Sequence, residues 1–268
     1  MKSTETLAQQ AFLKKQRRRR LFVAACRVFL LLFLLLLWES CARIGIIDDF
    51  IFSSPSRVAE SLISMTMDRS LFLHTGITVA ETLISFLIVT VSGILGAVLL
   101  WSSRTLSEIL EPYLVMLNSL PKSALAPILI VWLGNNTRTV IVAAVSVAVF
   151  GSILTLYNGF SSMDPDQIKL IYSLGGGRRD VLTKVLLPGS VPLILSNMKV
   201  NIGLCLVGVI IGEFLSAKAG LGYLIIYGSQ VLKLEPILIQ FPIQSYFWFL
   251  IVSISRYVVP KYVFHPSN

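Results

Sequence analysis

DPDQIKLIYSLGGGRRDVLTKVLLPGSVP, residues 164–192, is the one lengthy helix-forming stretch of this chain too polar to lie in lipid, and long apolar segments flank it. Ile168, Ile171 and Leu174 fall at threefold spacing, which predicts a short helix with one apolar face. Gly175-Gly176-Gly177 breaks that helix. Val181, Leu182, Val185 and Leu186 then recur at i, i+1, i+4 and i+5 and start a second one, which Pro188 and Pro192 are expected to close. Two short amphipathic helices joined by a glycine elbow suit a loop that lies on a bilayer surface and offers a knob to another protein.

The remainder of the sequence is of a different kind. Its 268 residues would allow one or two soluble domains, but 55% apolar and 14% charged residues, with a mean hydropathy of +0.79, point to an all-α polytopic membrane protein. The net charge of +9 does not imply nucleic acid, because the basic residues crowd beside apolar runs, where anionic lipid head groups attract them. Cys26, Cys41 and Cys205 have no metal-like spacing, and two of them fall within or beside apolar runs, so a structural disulfide is not expected.

Upstream, the basic run KKQRRRR (14–20) leads into the apolar run Leu21–Trp38. That run is about 18 residues long against roughly 7–15 for a signal-peptide core, no A-x-A-like site follows, and Trp38-Glu39-Ser40 is a poor lipoprotein processing site before Cys41. The reading is a basic cytoplasmic segment 1–20 and an uncleaved first span, 21–38. Residues 39–76 mix charges with short apolar pieces such as Arg57–Met67 and read as an exterior connection with an interfacial helix. His74, at its edge, reads as a wetted side chain.

Five further spans are expected in 77–259. The second, about Ile77–Trp101, carries Gly93 and Gly96, which permit close helix packing. A short turn at 102–108 precedes a third, about Pro112–Trp132, interrupted by Pro121-Lys122 and Pro127. Prolines within a span free backbone groups that need other partners, so this helix is expected to line a pathway rather than face lipid; a plain kink at a helix pair is the other reading. After a loop at 134–138 comes the fourth span, about Val140–Tyr157; the fifth, about Leu193–Phe214, follows 164–192. An exterior loop at 216–235 dips partly into the membrane, the sixth span is about Pro236–Val259, and 260–268 is a tail. Pro121, Ala126, Pro127, Gly208 and Glu213 are the candidate pathway or gate residues. Glu213 also has a plainer reading, as an interfacial carboxylate satisfied by helix N–H groups or water.

Six spans put both termini on one face, and the distribution of Lys and Arg chooses which. With the termini inside, the inner face collects eight in 1–27, Arg104, four in 169–184, Arg256 and Lys261, fifteen against six outside. The 164–192 loop is therefore expected in the cytoplasm. The chain contains no G-x-x-x-x-G-K-[ST], H-E-x-x-H, G-x-S-x-G or C-x-x-C, so neither nucleotide binding of that kind nor hydrolysis nor a metal site is expected of it. Energy for transport would have to come from an ion gradient or from a separate ATPase. On this reading Glu213 is the one acid near a span interior, which disfavours a gradient-driven carrier.

The order of residues in 164–192 resembles the cytoplasmic "EAA" loop of the membrane subunits of ATP-binding-cassette importers, with Gly175 as its glycine and Leu186-Leu187-Pro188 as its end. SSPSRV (53–58), PKSALAPILIVWLG (121–134), Asp164-Pro165, SLG (173–175) and GEFLSAKAGLGYLI (212–225) look like the nitrate, sulfonate and taurine branch, and the resemblance covers roughly 50–260. The Glu-Ala-Ala slot itself reads Lys169-Leu170-Ile171, a charge reversal that touches any ion pair the family's Glu makes and leaves the loop's shape alone.

The resemblance implies a permease subunit with no cofactor of its own, clamped as a homodimer to a cytoplasmic ATPase dimer that carries the ATP and magnesium. An extracytoplasmic solute-binding protein would feed it a sulfonate, nitrate, similar small anion or vitamin precursor. Ile168, Leu170, Ile171 and Tyr172 would be the apolar knob in an ATPase groove, with Asp164 at the helix N-terminus, Lys169 in the reversed slot, Gly175 at the turn, Arg178 and Arg179 facing acids of the ATPase or lipid phosphate, and Leu187-Pro188 at the end. A gradient-driven carrier and a membrane scaffold are the alternatives.

Overall fold

A computed structural model describes residues 7–48, 52–216, 218–231, 233–240 and 242–246, and every regular element among them is helical. α1 (Leu7–Ile44) takes the basic run and the first apolar run into one rod, about 57 Å long at ~1.5 Å per residue. A bilayer's hydrocarbon core is about 30 Å thick, so the basic turns can lie beyond it. The apolar side chains of α1 from Leu21 to Leu37 are exposed, which suits a lipid solvent. The helix ends at Ile44 rather than Trp38. There Glu39 pairs with Arg43 at 2.7 Å and accepts from the Ser56 N–H and Oγ at 3.1 and 2.9 Å, fastening α1 to α2 (Pro55–Met67). α2 is the helix expected in the exterior connection.

Arg69, at φ +64°, turns the chain from α2 into α3 (Ser70–Ser102). The expected turn at 102–108 shrinks to Ser103, whose Oγ accepts from the Leu106 N–H at 3.3 Å and caps α4 (Arg104–Ser119). α5 (Lys122–Leu133) follows at a bend of 102°. The third span is thus two helices crossing near a right angle rather than one interrupted rod. Pro121 causes the break: it has no N–H for the Leu117 carbonyl four residues back, and the Lys122 ammonium takes that carbonyl instead at 2.9 Å.

α6 (Thr137–Ser161) starts at Asn136, whose Oδ1 accepts from the N–H groups of Arg138 and Thr139. With α3 and α10 (Val191–Ser216) it makes the core. The core is layered along the bundle: Ala97, Leu156, Phe160 and Leu186 at one end, Val89, Ala148 and Cys205 in the middle, Val140, Ala144 and Val209 towards the other. Glycines set the spacing, as helices packed in lipid require. A Cβ on Gly96 would come within 2.9 Å of Ile153, and one on Gly208 within 2.6 Å of the Ala144 backbone. Ser152 Oγ accepts from Asn197 Nδ2 at 2.7 Å and Asn201 Nδ2 at 2.9 Å, a polar tie between α6 and α10.

The polar interval of the sequence becomes α7 (Pro165–Ser173), α8 (Arg178–Val181), a π-helical turn (Leu182–Leu186) and α9 (Leu187–Gly189). The second helix starts at Arg178 rather than Val181, and Pro188 and Pro192 do not close it. Ser190 N–H donates to Leu186 and Ile194 N–H to Ser190, both at 2.9 Å, so the helical path runs on into α10. The widened turn just before Pro188 accommodates a ring that cannot donate to the carbonyl four residues back.

α11 (Leu221–Gln230) and helical residues 235–240 and 242–246 complete the described chain. Four helices, α1 from Gln16, α3, α6 and α10, are long and apolar enough to cross a membrane, and the bent α4–α5 pair makes a fifth. Most of the sixth expected span, Pro236–Val259, and the tail 260–268 lie outside the described residues.

Candidate functional site

The sequence singles out residues at both ends of the α3–α6–α10 bundle. At one end, Asp164 caps α7 by accepting from the Asp166 N–H at 2.9 Å, and its charge suits the helix N-terminus. α7 ends in a left-handed residue, Gly175 at φ +81°, with Gly175 N–H donating to Tyr172 at 3.0 Å and Gly176 N–H to Ile171 at 2.9 Å. Those two bonds define a Schellman stop. Gly176 is needed too, because a Cβ there would press on the Ile171 carbonyl at 2.9 Å.

Of the expected knob, Leu170 and Tyr172 are exposed, at 58% and 49%, while Ile168 and Ile171 are half-buried. Leu174, at 76%, joins the exposed set. Lys169 turns back to Asp166 at 3.1 Å. The second helix is held by Asp180, which accepts from the Gly177 N–H at 2.9 Å and pairs with Lys184 at 2.7 Å. Lys184 and then the Gly177 N–H hold its carboxyl below the ordinary value. Arg178 donates to the Trp101 carbonyl at 2.9 Å and lies over that ring, while remaining exposed. Arg179 is exposed. Leu187 packs on the core layer of Ala97 and Leu186, and Pro188 is exposed.

The other end is built around Glu213. Its carboxylate is fully buried in the fold, accepting from Thr78 Oγ1 and from the Gly222 N–H, each at 2.6 Å. Thr78 in turn accepts from the Leu221 N–H at 2.8 Å, and His74 Nδ1 from the Gly220 N–H at 3.0 Å. Three side chains from α3 and α10 thus satisfy three backbone donors at the start of α11 that no helical carbonyl reaches. A carboxylate there also meets the positive end of the helix. Gly220, at φ +113°, has no room for a Cβ against that carboxylate. His74, read from sequence as merely wetted, is part of this latch and stacks on Tyr223, centroids 6.0 Å apart.

Glu81 was missed as a second acid within a span. It is 4% exposed, lies beside Glu213, and its Oε2 has no hydrogen-bond partner among the described residues. The signal that finds it is a polar stripe on one face of α3: His74, Thr78, Glu81, Thr82 and Ser85 recur at helical spacing in an otherwise apolar helix. Of the pathway candidates, Ala126 is buried in α5, which packs on α6 and α10, Pro121 and Pro127 are exposed, and Gly208 sits in the α6–α10 seam. A bulky residue at Gly208 would therefore report on helix packing as well as on any pathway.

Residues 88–260 match the model of a family described as binding-protein-dependent transport system inner membrane component. A probable ABC transporter permease protein of Haemophilus influenzae is 29% identical over 202 residues, 75% of this chain and 82% of that one. The formylaminopyrimidine transport permease protein of Halalkalibacterium halodurans is 28% identical over 192 residues, 72% and 76% of the two chains. Further relatives are named for taurine, aliphatic sulfonate and nitrate transport. A chain of the MetNI methionine ABC transporter, in an inward-facing conformation, has the same fold, with a TM-score of 0.62 over 74% of this chain and 98% of that one at 18% identity.

Proposed function

From the membership of this chain in the family of binding-protein-dependent transport system inner membrane components, we propose that it is the non-catalytic, membrane-spanning subunit of an ATP-driven importer for a small solute. The solute is a sulfonate, nitrate or similar anion, or a heterocyclic vitamin precursor; relatives carry names of each kind. A second copy, a cytoplasmic ATPase dimer that holds ATP and magnesium, an extracytoplasmic solute-binding protein and surrounding lipid are its partners. The segment 1–20 and both termini face the cytoplasm, 21–38 is the first span, 39–76 lies outside, and 77–259 forms the core.

The observation that carries this reading is the exposed apolar set Leu170, Tyr172 and Leu174 on a helix stopped at both ends and tied to α3 through Arg178. A motor in the cytoplasm can move the spans only through a contact of this kind. One observation favours a gradient-driven carrier instead, the buried pair Glu81 and Glu213, since intramembrane acids are what proton or cation coupling uses. Reconstitution of the chain with its ATPase and binding protein separates the two. Uptake that requires ATP and survives dissipation of every ion gradient supports the importer, and uptake driven by a gradient without ATP overturns it.

A further inference from the structure

The three side chains that take up the free N–H groups at the start of α11 differ in their access to water. Thr78 and Glu213 are fully buried, whereas His74 is half-buried and lines the open cavity of about 610 Å³ between α2, the first turns of α3, α11 and residues 233–236. Its Nδ1 accepts from the Gly220 N–H at 3.0 Å, so Nδ1 carries no proton and the one ring hydrogen is on Nε2. A proton on Nδ1 turns that acceptor into a donor aimed at another donor. Gly220 is buried, and its N–H would be left without a partner, a state that folded proteins avoid. An imidazolium would also stand at the positive end of α11.

The charges around the ring decide where an imidazolium would go. On the cavity side, Asp68 at the end of α2 is within electrostatic reach of the ring, and Glu60, Asp68 and Glu235 line the cavity against Arg57 and Lys233. On the bundle side Glu213 of α10 is already engaged by Thr78 Oγ1 and the Gly222 N–H, and Glu81 lies beyond it on α3. The remaining neighbours are Arg69 at the start of α3, exposed Lys218 ahead of Gly220, and Tyr223, whose ring stacks on His74 and is followed by Tyr227. We propose that His74 is a proton-operated catch: neutral, it holds the start of α11 to α3, and protonated from the cavity it turns off Gly220 towards Asp68 and frees that start. Because α11 forms one wall of the cavity, acid on this face loosens the wall. The catch requires neither ATP nor a particular solute, and so goes beyond the importer reading.

The test is hydrogen exchange of amides 218–222 in the full chain in lipid nanodiscs, expressed as protection relative to the free-peptide rate at each pH. In the released state the imidazole takes its proton near about pH 6.5, and the caught state has no place for it. By linkage, protection is expected to fall about tenfold between about pH 7.5 and about pH 5.5, while amides 200–208 within α10 keep theirs. His74→Asn places a non-titrating oxygen on Cγ where Nδ1 stands, and should hold the parent's protection at both pH values. His74→Phe keeps a ring against Tyr223 but supplies no acceptor, and should be about tenfold less protected already at about pH 7.5. Protection in the parent that does not fall with pH would overturn the catch. So would an equal fall in His74→Asn, which would hand the pH response to Glu213, Glu81 or Asp68, or full protection in His74→Phe. If His74→Phe does not fold, the comparison of the parent with His74→Asn decides alone.

Discussion

The Arg178 guanidinium sits 5.3 Å from the centroid of the Trp101 ring and donates to the Trp101 carbonyl at 2.9 Å, so the first residue of α8 is clasped to the last turn of α3. That carbonyl belongs to the set a helix C-terminus leaves without an intrahelical donor, and a cation is favoured there. The opposite end of α3 carries His74 and Thr78, which hold the start of α11. One helix therefore touches both the polar loop and the latch around Glu213, and a push on the loop has a stiff element to travel along.

Trp101→Leu removes the ring under the guanidinium and leaves the carbonyl bond. At an exposed site such a contact contributes about 1 kcal/mol, so solute moved per ATP hydrolysed by the reconstituted complex should fall roughly fivefold, with assembly intact. Arg178→Gln, which loses the charge as well, should fall further. Unchanged coupling in both variants would show that the loop moves the spans by another contact.

The knob itself is tested by Leu170→Asp. An unpaired charge pressed into an apolar groove costs several kcal/mol, so co-purification with the ATPase should be lost while the isolated chain melts like the parent, Leu170 being exposed. Gly175→Val strains a left-handed position and should misplace α7, leaving ATP binding and abolishing uptake. Lys169→Glu sets like charges three residues apart with Asp166. If the partner's groove carries an acid opposite Lys169, assembly weakens further; a variant that assembles and transports normally removes the reversed slot from the coupling contact.

The loop was legible because glycine and proline punctuate it. Gly175 at the left-handed stop and Pro165 in the first turn of α7 are local rules that tertiary packing had no reason to override. Pro188 was misread because a rule about where helices stop met a helix able to widen by one π turn and go on. The bend at Pro121 was marked in the sequence, but its angle was not, since no local pattern carries the packing of α5 on α6 and α10. The latch was half legible. Glu213 stood out as a charge in an apolar run, whereas Thr78, which donates to it, lies well over a hundred residues away, as His74 does from the Gly220 N–H it accepts, and no local pattern pairs them.

Asp180 gives a pH test outside the membrane. Lys184 and the Gly177 N–H lower its folded-state pKa, so its contribution to the loop is present above the ordinary carboxyl value of 3.8 and is lost as pH falls through the lower folded value. Asp180→Asn should accordingly speed proteolysis or hydrogen exchange at 175–178 at neutral pH, and its difference from the parent should close as pH drops below 3.8. A difference that persists at lower pH would mean that the asparagine disturbs the loop by something other than lost charge.

The sidedness read from the fifteen-to-six charge bias predicts that Arg179→Cys reacts with an impermeant thiol reagent only from the cytoplasm, and Asn135→Cys only from outside. Both positions are exposed and lie at opposite ends of the bundle. Arg179 is preferable to Arg178, whose replacement breaks the Trp101 contact. Labelling of Arg179→Cys from outside intact cells would reverse the whole topology.

The latch around Glu213 predicts an order of effects. Glu213→Gln keeps an acceptor for the Gly222 N–H and turns an amide donor on Thr78, whose hydroxyl can re-aim at the His74 carbonyl 3.2 Å away, so a loss of about 1 kcal/mol is expected. Glu213→Leu leaves the Gly222 N–H and the Thr78 hydroxyl without their acceptor inside the fold, a loss of about 2–4 kcal/mol. Gly220→Ala should be at least as costly, since it combines φ +113° with a Cβ driven into the carboxylate. The readouts are the melting temperature of the purified chain and proteolysis across 216–221. Co-purification with the ATPase should hold in Glu213→Gln, because α7 lies at the far end of α3. If Glu213→Leu melts and is cleaved like the parent, the start of α11 is held by something other than this carboxylate.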